Sequence, residues 1–236
     1  MVFERGLTES REKARALIME GRVLVDGKAV VKPGTMINKS VEVILKETEM
    51  PYVSRGGLKL SAAIEHFGID LKEKTAIDVG ASTGGFTDCM LKMAAKKVYA
   101  IDVGYGQFDW RLRQDSRVVL LEKTNIRYLD KDRIPDEIDI ATIDVSFISL
   151  TKVIPKVMEF LKPRGEIIAL IKPQFELQKA DVSKGGIVRN EEKRQKAIET
   201  TKTFSENLGL TVIGVMQSPV QGQKGNIEYF IYLRGK

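Results

Sequence analysis

Asp78-Val79-Gly80-Ala81-Ser82-Thr83-Gly84-Gly85-Phe86-Thr87-Asp88 opens on a strand end and closes on a helix start. Ala76 and Ile77 precede it, so the first residues complete a short apolar run of the buried-strand type, while residues 86–93 read as a helix. Between the two, Gly80, Gly84 and Gly85 let the main chain turn sharply and approach a ligand, and the helix start offers free N–H donors. Strand, glycine turn and helix in succession is the unit from which α/β sheets are built.

The same alternation continues outward. Residues 98–101, 118–121, 138–143 and 167–171 are further apolar strand runs, and residues 150–161 read as a helix in which Val153, Val157 and Leu161 recur at helical spacing. Residues 191–208 form another helix, with Ala197, Ile198, Thr201, Phe204 and Leu208 inward and Gly209 as its stop. The last two strands, 211–216 and 227–233, are joined only by residues 218–225, too short a link for parallel pairing. The expected fold is α/β, a mostly parallel seven-stranded sheet with an antiparallel last strand.

Ahead of this lies a small α+β unit. A helix from Thr8 or Ser10 to residue 20 turns Ala14, Leu17 and Ile18 to one face and ends at Gly21. Asp26-Gly27 between Val23-Leu24-Val25 and Lys28-Ala29-Val30 signals a tight hairpin, and residues 41–45 supply a third strand. The expected division is 1–46 for the small domain, 47–54 for a linker and 55–236 for the large domain. Arg11 and Arg15 lie one helical turn apart, with Arg22 near the same line if the helix runs on; such a stripe could grip phosphates or could be a solvated face.

Composition narrows the class. Of 236 residues, 43% are hydrophobic and 30% charged, which points away from disorder and from a membrane bundle. The net charge of +6 suits a polyanionic partner. With one cysteine, Cys89, and one histidine, His66, the chain can form neither an internal disulfide nor a Cys/His zinc cluster, so no metal is expected. No apolar run reaches the roughly 18 to 20 residues of a membrane helix, and no signal-peptide pattern opens the chain, so the expected compartment is the cytoplasm.

Ligands of open α/β sheets bind beyond the carboxyl ends of the strands. Asp102 ends the second strand about twenty residues past the glycine turn, where a carboxylate accepts hydrogen bonds from ribose hydroxyls. The glycine spacing differs from the G-x-G-x-x-G of dinucleotide enzymes, which favours S-adenosylmethionine over NAD. Asn125, past the third strand, is either an adenine contact or a turn residue. The expected cofactor-binding set is Asp78, Gly80, Ser82, Thr83, Gly84, Gly85, Phe86, Asp102, Asn125 and Asp144.

Four stretches together carry a resemblance: Tyr52-Val53-Ser54-Arg55-Gly56-Gly57-Leu58-Lys59-Leu60, the glycine turn at 78–88, Asp144-Val145-Ser146-Phe147-Ile148-Ser149-Leu150, and Lys172-Pro173-Gln174-Phe175-Glu176. With Glu228 they span nearly the whole chain, which resembles the TlyA ribosomal-RNA 2′-O-methyltransferases, a family sometimes labelled hemolysins. That resemblance implies a Rossmann-like S-adenosylmethionine-dependent methyltransferase domain of the FtsJ type. It also implies an N-terminal RNA-binding domain of the ribosomal-protein S-four type, whose first helix usually begins earlier in the family, so the domain here is expected to be shortened. The substrate implied is ribosomal RNA or a ribosomal subunit, at cytidine. A catalytic tetrad is implied at Lys59, Asp144, Lys172 and Glu228. Placement at strand ends independently supports the last three.

A ribose hydroxyl is a poor nucleophile, whereas a sulfonium methyl departs readily, so the enzyme has mainly to orient the oxygen and take its proton. Lys172 is the candidate base, or in a weaker version only steers the oxygen lone pair. A neighbouring amine and burial favour its neutral form, while the two carboxylates favour the ammonium. Arg11, Arg15, Arg22, Arg55 and Lys184 are the expected RNA contacts, each with a solvated surface as the bland alternative. The rival functions are a cytolysin, a non-catalytic RNA-binding protein that keeps the pocket, and a small-molecule methyltransferase. The first has no membrane segment to support it, the second leaves the tetrad idle, and the third leaves residues 1–46 unexplained.

Overall fold

The computed structural model describes residues 1–8, 11–19, 21–38, 40–45, 50–183, 185–222 and 225–236. The chain divides into two compact units, Met1–Met50 and Pro51–Lys236.

In the small unit, α1 (Arg11–Met19) is followed by β1 (Val23–Val25), β2 (Lys28–Val30) and β3 (Val43–Leu45), in the sheet order β2-β1-β3. The hairpin turns at Asp26 and Gly27, both with positive φ, as an Asp-Gly pair permits. Ala14 and Leu17 of α1 pack with Val2, Val23 and Val43 into a core of their own. The third strand begins two residues later than expected. Helix α1 does not run on to Arg22: Gly21 takes φ +70° and the Arg22 N–H donates to Leu17 O, closing the helix end. Arg22 therefore leaves the line of Arg11 and Arg15.

The large unit contains α2 (Arg55–Phe67), β4 (Thr75–Val79), α3 (Gly85–Lys92), β5 (Lys97–Ile101), α4 (Trp110–Arg113) and β6 (Val118–Leu121). It continues with β7 (Ile138–Ile143), α5 (Ile154–Met158), β8 (Leu161–Ile171), α6 (Pro173–Glu176), α7 (Glu191–Asn207), β9 (Thr211–Gln217) and β10 (Tyr229–Arg234). The sheet order is β6-β5-β4-β7-β8-β10-β9, parallel except for β10, which is antiparallel to both its neighbours. Alternation fills both faces: Ile167, Ala169 and Ile171 of β8 join Ile231 and Leu233 on one side, while Ile168 and Leu170 join Phe230 and Tyr232 on the other.

Two elements differ from the reading of periodicity. Residues 150–161 are not one helix: a 3₁₀ turn at Leu150–Lys152 precedes α5, and Leu161 already pairs with Ile138 as the first residue of β8. Pro163 disfavours a helix running through it, and Arg164 at φ +59° accompanies the register shift before regular pairing resumes at Glu166. The second difference is the start of α2, hidden because Gly56 and Gly57 in its first turn lower helix propensity, although His66 further on is expected in a helix. Helix α2 buries Leu60, Ala63 and Ile64 and ends on Gly68 at φ +64°. His66 lies in α2 and Cys89, buried, in α3.

Candidate active site

The carboxyl ends of the parallel strands form one rim. Along it stand Gly80 after β4, Asp102 after β5, Asp144 after β7 and Lys172 after β8. Because β10 is antiparallel, its start lies at the same rim. Tyr229 pairs with Ile171, so the next rung sets Glu228 opposite Lys172. Lys59 comes from the second turn of α2.

The four charges form two ion pairs. Lys59 Nζ donates to Glu228 Oε2 at 2.7 Å, and Lys172 Nζ lies 2.5 Å from Asp144 Oδ1. Lys172 also donates to Ser146 Oγ at 3.0 Å. Glu228 is 3% exposed and the Lys59 side chain 12%, which is tolerable because each enclosed charge has an opposite partner. Gly222 passes directly over Glu228: a Cβ there would lie 2.0 Å from Glu228 Oε1.

Beside Asp144 opens a cavity of about 900 Å³, at the upper end of what small-molecule sites occupy. Gly80, Ser82, Asp102, Asn125, Asp144 and Ser146 are among its walls. Gly80 has φ +87°, and a Cβ on it would meet Asp144 O at 2.4 Å, so only glycine lets the ends of β4 and β7 close together. Asp102 is fixed by three donors: Ser82 N to Oδ2 at 2.7 Å, Gly104 N to Oδ1 at 2.6 Å and Gln107 Nε2 to Oδ1 at 3.1 Å. A carboxylate has about four acceptor positions, which leaves room for one further donor in this arrangement. Asn125 Oδ1 caps the turn after β6 by accepting from Arg127 N at 3.1 Å.

The FtsJ-like methyltransferase family model matches residues 52–235, and the S4 domain model matches residues 1–43. The chain belongs to the FtsJ-like methyltransferases. It is 42% identical to the 16S/23S rRNA (cytidine-2′-O)-methyltransferase TlyA of Mycobacterium tuberculosis, over 99% of this chain and 87% of that one. It is 44% identical to Hemolysin A of Brachyspira hyodysenteriae, over 98% of this chain and 96% of that one. A solved structure of a hemolysin-named protein from Streptococcus thermophilus superposes with a TM-score of 0.81 at 42% identity, covering 100% of this chain and 86% of the other. The chain is thereby a methyltransferase, with an S4 domain preceding the methyltransferase domain in sequence.

Not all of the glycine turn of this methyltransferase faces the cavity. Asp78 is 0% exposed; its carboxylate accepts from Thr87 Oγ1 at 2.6 Å and from Thr142 Oγ1 at 3.2 Å, tying β4 to α3 and β7. Burial pushes its pKa up to about 7. Gly84, at φ +94°, lies under Phe108 and Leu112, and Gly85 is backed by Ser54 and the Gly57 N–H, where a Cβ would have no space. Phe86 packs toward Phe230 with ring centroids 6.2 Å apart, and exposed Thr83 accepts at its carbonyl from Asp109 N. These five residues build the turn and the packing of α2 on α3 and do not line the cavity.

Arg11 and Arg15 are exposed on α1 of the small unit, and Arg55 is exposed at the start of α2 in the large one. Arg22 is partly enclosed, with Nε lacking a hydrogen-bond partner. Lys184 lies outside the described residues. Reasoning from sequence gave no role to Ser146, Phe147, Gln174, Phe175 or Glu176, all of which the structure places around Asp144 and Lys172. Phe147 is 89% exposed at φ +64°, and its ring centroid lies 5.1 Å from that of Phe175. The signal was present in the quoted stretches, but only their charged ends drew attention.

Among the described residues no helix is long and apolar enough to cross a membrane.

Proposed function

We propose that this methyltransferase uses S-adenosylmethionine to methylate a ribose 2′-hydroxyl of cytidine in ribosomal RNA, acting in the cytoplasm. The observation that carries the reading is the pair of ion pairs, Lys59–Glu228 and Lys172–Asp144, with Asp144 also lining a nucleoside-sized cavity. The cavity suits an adenosyl group: Gly80 permits close backbone approach, Asp102 keeps an acceptor position for a ribose hydroxyl, and Asn125 stands on the wall opposite the turn. When bound, the cofactor supplies an electrophilic methyl on a sulfonium centre.

The protein's own residues have then to hold the acceptor oxygen and dispose of its proton. Lys172, pinned between Asp144 and Ser146, is aimed rather than free to swing. In its neutral form Lys172 takes the hydroxyl proton as the oxygen–carbon bond forms, and Asp144 stabilises the resulting ammonium. Glu228, from just before β10, and Lys59, from α2, orient the hydroxyl. Exposed Phe147, backed by partly buried Phe175 at the cavity wall, offers an aromatic face to an unstacked base, a common device of RNA recognition. Arg11, Arg15, Arg55 and Lys184 are the proposed phosphate contacts, in keeping with the net charge of +6.

The test follows a labelled methyl group. Full-length protein is incubated with methyl-labelled S-adenosylmethionine and ribosomal subunits, and the RNA is hydrolysed in alkali. A 2′-O-methyl group removes the nucleophile of alkaline cleavage, so the label is expected in an alkali-resistant dinucleotide beginning with cytidine. Label recovered in mononucleotides, or no transfer, overturns the reading.

A further inference from the structure

We propose that Glu176 is a positioning residue for methyl transfer: from the far end of α6 it fixes the loop 144–150, and through that loop the Asp144 that holds Lys172. The inference rests on the reading just given. It starts from the way one four-residue helix grips one loop at both ends. Lys172, which precedes α6, holds the beginning of the loop through Asp144 and Ser146. Glu176, the last residue of α6, holds its end: Oε1 accepts from Leu150 N at 2.9 Å and Oε2 from Ser149 Oγ at 2.5 Å. Ser149 in turn caps the following 3₁₀ turn by accepting from Thr151 N.

Between the two grips the backbone is in a conformation it would not choose. Phe147 sits at φ +64°, a region that bulky residues avoid unless tertiary contacts impose it. The loop's path is therefore set from outside, and Glu176 is one of its two anchors. The manner of anchoring is costly. Burial pushes the Glu176 carboxyl above the ordinary carboxylate range, and no cation forms a salt bridge with it among the described residues. A carboxylate desolvated without a cation is a poor way to add stability. It is a precise way to orient two donors, because both its oxygens are fixed by a single plane. Each donor belongs to the loop that carries Asp144 and Ser146, the two groups that hold the Lys172 amine.

The experiment compares full-length wild type with Glu176→Ala, Glu176→Gln and Ser149→Ala. Four quantities are read: kcat and KM for labelled methyl transfer to ribosomal subunits, the Kd of S-adenosylhomocysteine, amide exchange in the peptide covering 144–151, and Tm. Glu176→Ala is expected to lower kcat about 30- to 100-fold with KM for the subunit within about threefold, the size expected when a reacting group is misplaced. Exchange at the Leu150 amide rises in the same variant. Glu176→Gln keeps an acceptor for Leu150 N–H and returns kcat to within about threefold of wild type, and Ser149→Ala falls between.

A normal kcat in Glu176→Ala overturns the proposal, as does a loss confined to Tm or to KM. Should Glu176→Ala fail to fold, the Gln and Ser149→Ala variants still decide: equal damage in both, at unchanged Leu150 exchange, also overturns it. Failure of the wild type to methylate ribosomal RNA would instead sink the functional reading, while the exchange measurement would still report whether Glu176 holds the loop.

Discussion

Two loops meet at the rim, and they reach left-handed backbone by opposite means. After β4 the chain turns through Gly80 at φ +87° and Gly84 at φ +94°, positions where a side chain has no place to go. After β7 the chain turns through Phe147 at φ +64°, where a large side chain is present and stands in solvent. The first turn is written largely locally: two of its left-handed positions are glycines, which accept the conformation without strain, and between them Ser82 takes φ +49°. The second is imposed by contacts from α6, more than twenty positions along the chain. A turn that only has to let a ligand approach can be made of glycine; one that has also to display an aromatic ring needs a side chain and an external clamp.

That contrast can be broken by exchanging the two solutions. Gly80→Ala places a Cβ against Asp144 O and forces a positive φ on alanine, so it is expected to destabilise the fold by about 2–4 kcal/mol and to weaken S-adenosylhomocysteine binding at least tenfold. Calorimetric titration and chemical unfolding measure both, and unchanged binding would remove Gly80 from the pocket. Phe147→Gly should do the reverse. Its stability stays level or rises by up to about 1 kcal/mol as the left-handed strain is relieved. Its ribosomal-RNA methylation falls about tenfold as a stacking face is lost. A marked loss of stability would mean that the phenyl ring supports the loop rather than the substrate.

A pH-dependent effect belongs to Asp78, beneath the glycine turn. Its folded pKa of about 7 lies above its ordinary 3.8, so the folded chain binds this proton more tightly than the unfolded one. The stability it contributes is present in full below pH 3.8 and is lost as pH rises through about 7. Asp78→Asn should therefore gain on wild type as pH rises from 3.8 to about 7 and level off above. A difference that does not vary with pH would show that Asp78 does not titrate there.

The same contrast explains what could be read from the sequence. The order of strands and helices, the antiparallel end of the sheet and the hairpin of the small unit all follow from short-range pattern, and the structure has them. His66 is expected in a helix and lies in one, but the start of α2 is hidden because Gly56 and Gly57, which admit Gly85 and Tyr52 at close range, look like a loop. Residues 150–161 misled because the apolar positions of a 3₁₀ turn, a short helix and a strand happened to fall at helical intervals. At the site, Gly80 and the strand-end charges were legible, since position along the chain fixes position along the rim. Asp78, Gly84, Gly85 and Phe86 lie next to the ligand-facing glycine in sequence, but alternation and helix packing send them inward, while Thr83 stays exposed on the turn without lining the cavity. Glu176 was illegible for the converse reason: its partners, Ser149 and Leu150, are neighbours only after β7 and β8 have paired.

The most direct test of the account is the rate of methyl transfer by Lys172→Ala in the ribosomal-subunit assay, measured beside its affinity for S-adenosylhomocysteine. Removing a proton acceptor held by Asp144 and Ser146 should lower kcat by about 10²- to 10⁴-fold and leave the affinity within about threefold. Transfer at the wild-type rate would contradict the role given to the paired charges at the rim.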